Sequence, residues 1–212
     1  MGWAGVFFPL NLRAQLSTIV FIDGQNLYHT AKECWSGLAD QSGSNPYYYP
    51  SYDVELLSEF LVKRVPNRVH KQIRLYTGVT RQDLGDKELF WNTFWSNKIA
   101  YLKSRGIYVY KGKINSGKQE KGTDVNLAID LIELTYDQQY DAAIIISKDW
   151  DFGGAVKMAK KIASNQNRFI HLESAFPCSE YSKAKERGVP GTNWVKISKS
   201  EYDSCFDTRD YR

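Results

Sequence analysis

Cysteine is scarce in this 212-residue chain: Cys34, Cys178 and Cys205 are odd in number, far apart and without zinc-like spacing. That argues against a disulfide framework and a structural zinc, and favours a reducing, cytoplasmic setting. Histidine is equally sparse; His29, His70 and His171 form no cluster. No apolar run is long enough to span a bilayer, so no membrane partner is expected. The opening stretch, MGWAGVFFPLNLRAQLS, has no basic region ahead of its short apolar patch, which argues against a signal peptide. Val6 stands where myristoylation takes Ser or Thr. Residues 1–17 therefore read as an arm that packs on the domain or frays. There is no internal repeat and no low-complexity tract.

What is present suits one large domain. Hydrophobic residues make up 42% of the chain and aromatics 14%, enough for a core and against disorder. The net charge of +4 permits a polyanionic partner without requiring one. Apolar strand-like runs alternate with helical patterns. Residues 18–22 (TIVFI), 73–78, 107–110, 142–146 (AAIII) and 168–172 read as strands. Residues 86–105 carry helical spacing through Phe90, Phe94, Trp95, Ile99 and Leu102, and stop at Gly106. Residues 125–134 read as a buried helix, and Phe152, Ala155, Val156, Ala159 and Ile162 form the inner face of another. Continuous apolar strands joined by helices predict an α/β fold, with a mainly parallel sheet covered on both faces. The domain is expected over residues 18–175. Residues 176–212 are expected to be an irregular extension packed on it, with one candidate strand at 194–197.

Acids gather where the strands end. Asp23 closes the first strand, and Asp149 and Asp151 follow the AAIII run. Asp124 opens the helix after the third strand. In a parallel sheet these points share one edge, the edge at which ligands bind. Each acid also has a structural reading: Asp151 as a helix cap, Asp124 as a complement to a helix dipole, Asp23 with Gly24 as a turn. Two like charges about 4 Å apart repel by about 4 kcal/mol at an effective dielectric of about 20, more than a cap returns. A hard divalent cation is the natural occupant of such a cluster, and Mg²⁺ needs only one or two carboxylates.

Three blocks in order, FIDGQNL at 21–27, KGTDVNLAID at 121–130 and SKDWDF at 147–152, resemble the NYN domain family of PIN-like nucleases. The resemblance spans roughly residues 18–172. It implies a PIN-like three-layer sandwich and metal-dependent ribonuclease chemistry on RNA, with Mg²⁺ or Mn²⁺. The implied catalytic positions are Asp23, Asp124, Asp149, Asp151 and Asn26, with Asp23, Asp149 and Asp124 as metal ligands. Asp130 matches a further acid of the second block, but six residues from Asp124 it faces elsewhere on the helix. Lys148 and Trp150 stand where the family usually has small residues. Lys148 could neutralise the acids, contact a phosphate or point away, and an inactive RNA-binding or adaptor domain is the alternative reading.

The segment GKINSGKQ at 112–119 mimics a P-loop, but Gln119 replaces the hydroxyl residue that would bind Mg²⁺. With Lys111, Lys113, Lys118 and Lys121 it reads instead as a basic loop, either a solvated turn or a phosphate contact. Residues 36–51 read as a long loop ending in Tyr47, Tyr48 and Tyr49, which would stack unpaired bases or cover the sheet edge. Lys148, Lys118, Lys121 and Tyr48 are thus the substrate-binding candidates. Nothing in the sequence sets an oligomeric state.

Overall fold

Residues 142–146 are apolar at every position and buried at every position, as a central parallel strand with both faces covered must be. The computed structural model describes residues 15–35, 52–79, 86–114, 120–179 and 186–212, the side chains of 86–88, 113–114 and 120–121 aside. Strand β1 (Leu16–Asp23) leads into helix α1 (Gly24–Trp35), then α2 (Val54–Lys63) and β2 (Arg68–Gly78). Next come α3 (Asp86–Ser104), β3 (Tyr108–Ile114), the short β4 (Glu120–Lys121) and α4 (Thr123–Tyr136). Strand β5 (Ala142–Ile146) passes through a 3₁₀ turn at Trp150–Phe152 into α5 (Gly153–Asn165). Strands β6 (His171–Pro177) and β7 (Asn193–Ile197) and helix α6 (Lys199–Asp203) complete the chain.

One seven-stranded sheet results, in the order β4-β3-β2-β1-β5-β6-β7. Six strands run parallel; β4 alone is antiparallel, to β3. Alternation along the strands sorts the core into two layers. Val20, Ile22, Ile73, Leu75, Ile144 and Ile146 face α1, α2, α3 and α6. Ile19, Phe21, Ala143 and Ile145 face α4 and α5. This is the expected PIN-like three-layer sandwich.

Several local details depart from the sequence reading. The strand expected at 168–172 lies at His171–Pro177 instead, and Phe169 is 79% exposed. Leu172, Ala175 and Phe176 of the strand fill the interior with Ser174, and of the RFI run only Ile170, just ahead of the strand, is buried. The strand expected at 194–197 is present as β7, which extends the sheet alongside β6, and the short helix α6 after it was not expected. The flanks of the P-loop mimic form a hairpin, with Lys113 opposite Lys121. A strand-to-helix phosphate loop is therefore not what this segment builds. Helix α3 ends as expected: Gly106 adopts a φ of 78°. Its amide donates to Lys103 O at 3.0 Å and that of Ile107 to Leu102 O at 3.1 Å, a Schellman stop.

Candidate metal and phosphate site

Strand β1 has β2 on one side and β5 on the other, so the chain's direction of travel through the sheet reverses there. The crevice beyond the carboxyl ends of β1 and β5 is the place where such sheets bind ligands. Asp23 continues the parity of Ile19 and Phe21, and Ser147 that of Ala143 and Ile145. Both therefore reach the edge on the face covered by α4 and α5.

Their contacts fix the crevice. Asp23 is buried, and its Oδ1 accepts the Asn26 amide at 3.0 Å, which caps the first turn of α1. Its Oδ2 accepts the Ser147 hydroxyl at 3.1 Å. The same Ser147 oxygen accepts the Asp149 amide at 3.1 Å. Ser147 thus ties the two strand ends together, a role the sequence reading missed. Its only signal there was its place between the AAIII run and the paired acids. The Asn26 Oδ1 accepts the Lys148 amide at 3.1 Å and the Thr30 hydroxyl at 3.3 Å. Asn26 therefore fastens α1 to the loop that carries the acids.

Asp149, not Asp151, caps the turn that follows: its Oδ1 accepts the Asp151 amide at 3.0 Å. Asp151 is exposed beside it. Asp124 sits in the first turn of α4, at the solvent-facing rim. Partial burial holds its carboxyl above the ordinary value, and the negative fields of Asp149 and Asp151 push it further the same way. Mutual repulsion places Asp124 within electrostatic reach of the other two. Asp130 belongs elsewhere: its Oδ2 accepts Arg74 at 2.7 Å and the Tyr76 hydroxyl at 2.6 Å.

Two glycines let the backbone approach. A Cβ on Gly24 would meet Tyr76 O at 3.1 Å and Thr77 at 3.3 Å, so α1 could not start so close to β2. Gly122, capping α4 ahead of Asp124, has a φ of 89°, a conformation that side chains disfavour.

Among the substrate-binding candidates, Lys148 turns from the acids: its ammonium pairs with Glu33 of α1 at 3.2 Å. Of the three roles open to it, neutralising the acids, contacting a phosphate or pointing away, that pairing fits the last. Lys121 lies on β4. Tyr47, Tyr48, Tyr49 and Lys118 fall outside the described residues.

The donors that face the crevice are all carboxylate and hydroxyl oxygens, which suit a hard cation. Among the described residues, no three acids, histidines or cysteines are drawn close enough to cage an ion. The set fits an ion bound through one or two carboxylates with waters completing its shell, the usual habit of Mg²⁺. Burial first, and then the fields of Asp149 and Asp151, raise the Asp124 carboxyl, and a bound cation would oppose both.

A family model, that of the NYN domain, matches residues 17–169. A solved structure of a protein of unknown function from Vibrio parahaemolyticus is similar over 90% of this chain and 98% of its own, at 17% identity and a TM-score of 0.49. Among curated proteins no relative matches the chain. No helix among the described residues is long and apolar enough to cross a membrane.

Proposed function

The chain belongs to the NYN domain family, generally nucleases that use divalent metals, and on that premise we propose that it is a ribonuclease hydrolysing phosphodiester bonds of single-stranded or looped RNA with Mg²⁺ or Mn²⁺. The observation that supports this reading best is the pair of acids at the switch point of the sheet, Asp23 at the end of β1 and Asp149 after β5, tied together through Ser147. Asp23, Asp149 and Asp124 are the residues that would hold the cation. When bound, such an ion lowers the pKa of a coordinated water and stabilises charge developing on the phosphoryl oxygens. Asp23 is held by Ser147 and the Asn26 amide, so its carboxylate is pre-oriented. Asn26 keeps the loop at 147–149 in register with α1. Asp151 stands at the solvent side, where it can orient a water or a phosphate-bound ion. Unpaired RNA fits best, because its backbone can enter an acidic cleft while its bases splay outward.

A binding-module reading draws on a different observation. Both Asp23 oxygens already accept hydrogen bonds, and the acids form no three-ligand cage among the described residues. The two readings part in one experiment: purified protein with mixed RNAs and DNAs, in Mn²⁺ or in EDTA. Cleavage of RNA in Mn²⁺ that EDTA abolishes supports the nuclease. RNA binding with no cleavage under either metal supports the module.

A further inference from the structure

On the other face of the sheet edge, against the first turn of α1, lies a cavity of about 510 Å³. Gly24, Gln25 and Thr77 form its inner wall, so it begins one residue beyond Asp23. Its remaining lining is largely aromatic: Tyr28, Tyr52, Phe90, Trp91, Phe94 and Trp95. The size falls within the ~300–1,000 Å³ of small-molecule sites.

Lys32, Asp210 and Arg212 also line the cavity, and two buried polar groups are set into its aromatic wall. Tyr52 is 5% exposed, and its hydroxyl has no hydrogen-bond partner among the described residues. A buried hydroxyl left without a partner costs stability unless a ligand or water supplies one. Lys98 is 4% exposed and spends two N–H donors, on Tyr52 O at 3.1 Å and Asp207 Oδ2 at 2.9 Å. An ammonium carries three donors, so one is left without a partner among the described residues. Tyr52 also feels Asp23: burial first, and then the negative field of that carboxylate, raises its phenol well above the ordinary value. The cavity and the acids are therefore neighbours across one helix start.

We propose that this cavity receives an unpaired nucleobase of the RNA, from a nucleotide flanking the phosphate held at the acids. The occupant must be flat and aromatic to lie among the rings, and must carry acceptors for the Lys98 donor and the Tyr52 hydroxyl. A nucleobase has π-faces and an edge of carbonyl or ring-nitrogen acceptors, and stacks on protein aromatics whatever its identity. A base tethered to a phosphate suits the place, because Gly24, the residue after Asp23, lines the cavity. This inference rests on the ribonuclease reading for the source of the base, and its test is separate from cleavage.

The test uses the whole chain in EDTA, titrated with a five-nucleotide RNA and with an oligomer of equal charge lacking bases. Intrinsic tryptophan fluorescence reports occupancy. Expected results are quenching and tighter binding with the base-bearing RNA only. Phe90→Ala should weaken binding about tenfold, the loss of one stacking partner. Phe90 is 45% exposed, so that variant should fold. Tyr52→Phe, which keeps the ring, should weaken it several-fold. Quenching should disappear when Trp91 and Trp95 are both changed to Phe, and survive in Trp150→Phe. Equal binding of the two oligomers overturns the proposal, as does unchanged affinity in Phe90→Ala. Quenching that follows Trp150 overturns it too, by placing the base on that 54% exposed ring, where Arg187 lies 6.0 Å away. Base-dependent quenching without Mn²⁺-dependent cleavage keeps the pocket and removes the nuclease. Cleavage with base-blind binding does the reverse.

Discussion

Two clusters of carboxylates lie at different places in this molecule, and only one is electrically balanced. Asp53 and Asp207 are buried and pair with the buried Lys98 and the exposed Arg209, two acids against two cations. Asp53 also caps α2, accepting the Glu55 amide at 2.8 Å and that of Leu56 at 3.0 Å. Burial alone would raise the Asp53 carboxyl, but Arg209 and these amides hold it below its ordinary value. At the crevice, Asp124, Asp149 and Asp151 make no ion pair among the described residues, and Asp124 is raised. Lys148, next to Asp149 in sequence, is spent on Glu33. Charge matched by the protein itself serves the fold. Charge left unmatched at a sheet edge is charge kept for something that binds.

The sharpest way to break this comparison is to neutralise one acid in each cluster. Asp149→Asn keeps an oxygen that can cap the turn to Asp151, so the fold should persist. Cleavage of RNA in Mn²⁺ should fall by about 10²-fold or more, since a metal-positioning carboxylate is gone. RNA affinity should hold or rise, because a negative charge facing phosphates is removed. Wild-type cleavage rates in the variant would remove Asp149 from the site. Asp207→Ala should do the opposite. It strands the buried Lys98 ammonium, which burial already pulls below its ordinary value against the attraction of Asp207. Stripping one partner from such a pair costs about 3–5 kcal/mol. Urea unfolding should show that loss, far larger than any that Asp149→Asn causes.

Gly24→Ala tests whether the crevice depends on close backbone approach. The new methyl would sit 3.1 Å from Tyr76 O, a rigid strand atom. Overpacking of this kind costs about 1–3 kcal/mol, and here it would also displace the start of α1 and hence Asn26. Stability and cleavage should fall together; an unchanged melting temperature would show that α1 has room to shift.

Asp23 and Asp149 were legible because parallel strands must end on a common edge, and FID and SKDWD each mark such an end; KGTD instead follows the antiparallel β4. The sheet was legible for a related reason: AAIII and TIVFI are apolar without interruption. Helices α1 and α2 were not. The first turn of α1, GQNL, reads as turn chemistry until Asp23 is seen capping it through the Asn26 amide. Strand β6 was misplaced because RFIHL looks more strand-like than ESAFP. Its interior accepts Ser174 only because that hydroxyl donates to Ser147 O at 2.6 Å and accepts the Val189 amide at 3.1 Å. Such partners come from distant sequence, so no local pattern announces them. The same holds for Lys98, whose buried pairing with Asp207 spans 109 positions.

A smaller effect distinguishes repulsion from mere exposure. The Asp124 carboxyl titrates higher in the folded chain than its ordinary value. Between the unfolded and folded values the folded state binds more protons, so this group makes stability fall as pH rises through that window. Asp124→Asn removes the slope. Without metal, the variant should be more stable than wild type above the window, by no more than about 1 kcal/mol given solvent screening. The advantage should vanish below the ordinary carboxyl range, near about pH 4. Divalent ions should erase it as well, by stabilising the wild-type carboxylate. Parallel melting curves across pH would show either pattern, and a difference that ignores pH would mean the three acids do not repel.

The smallest expected effect concerns Lys148. Were its ammonium directed at the acids, removing it would raise divalent affinity, because one positive charge would no longer compete with another. Its pairing with Glu33 sends the charge toward α1 instead, and Glu33 is largely exposed. Ion pairs of that kind contribute about 0–1 kcal/mol. Lys148→Met keeps the length of the chain and removes only the charge. Mn²⁺ affinity, measured by calorimetry, should match wild type, and stability should shift by about 0.5 kcal/mol or less. The backbone amide of residue 148, which reaches Asn26 at 3.1 Å, is unaffected by the exchange, so the loop stays in place. A clear gain in Mn²⁺ affinity would mean that the ammonium leaves Glu33 for the crevice, and the unbalanced cluster would then have a cation of its own.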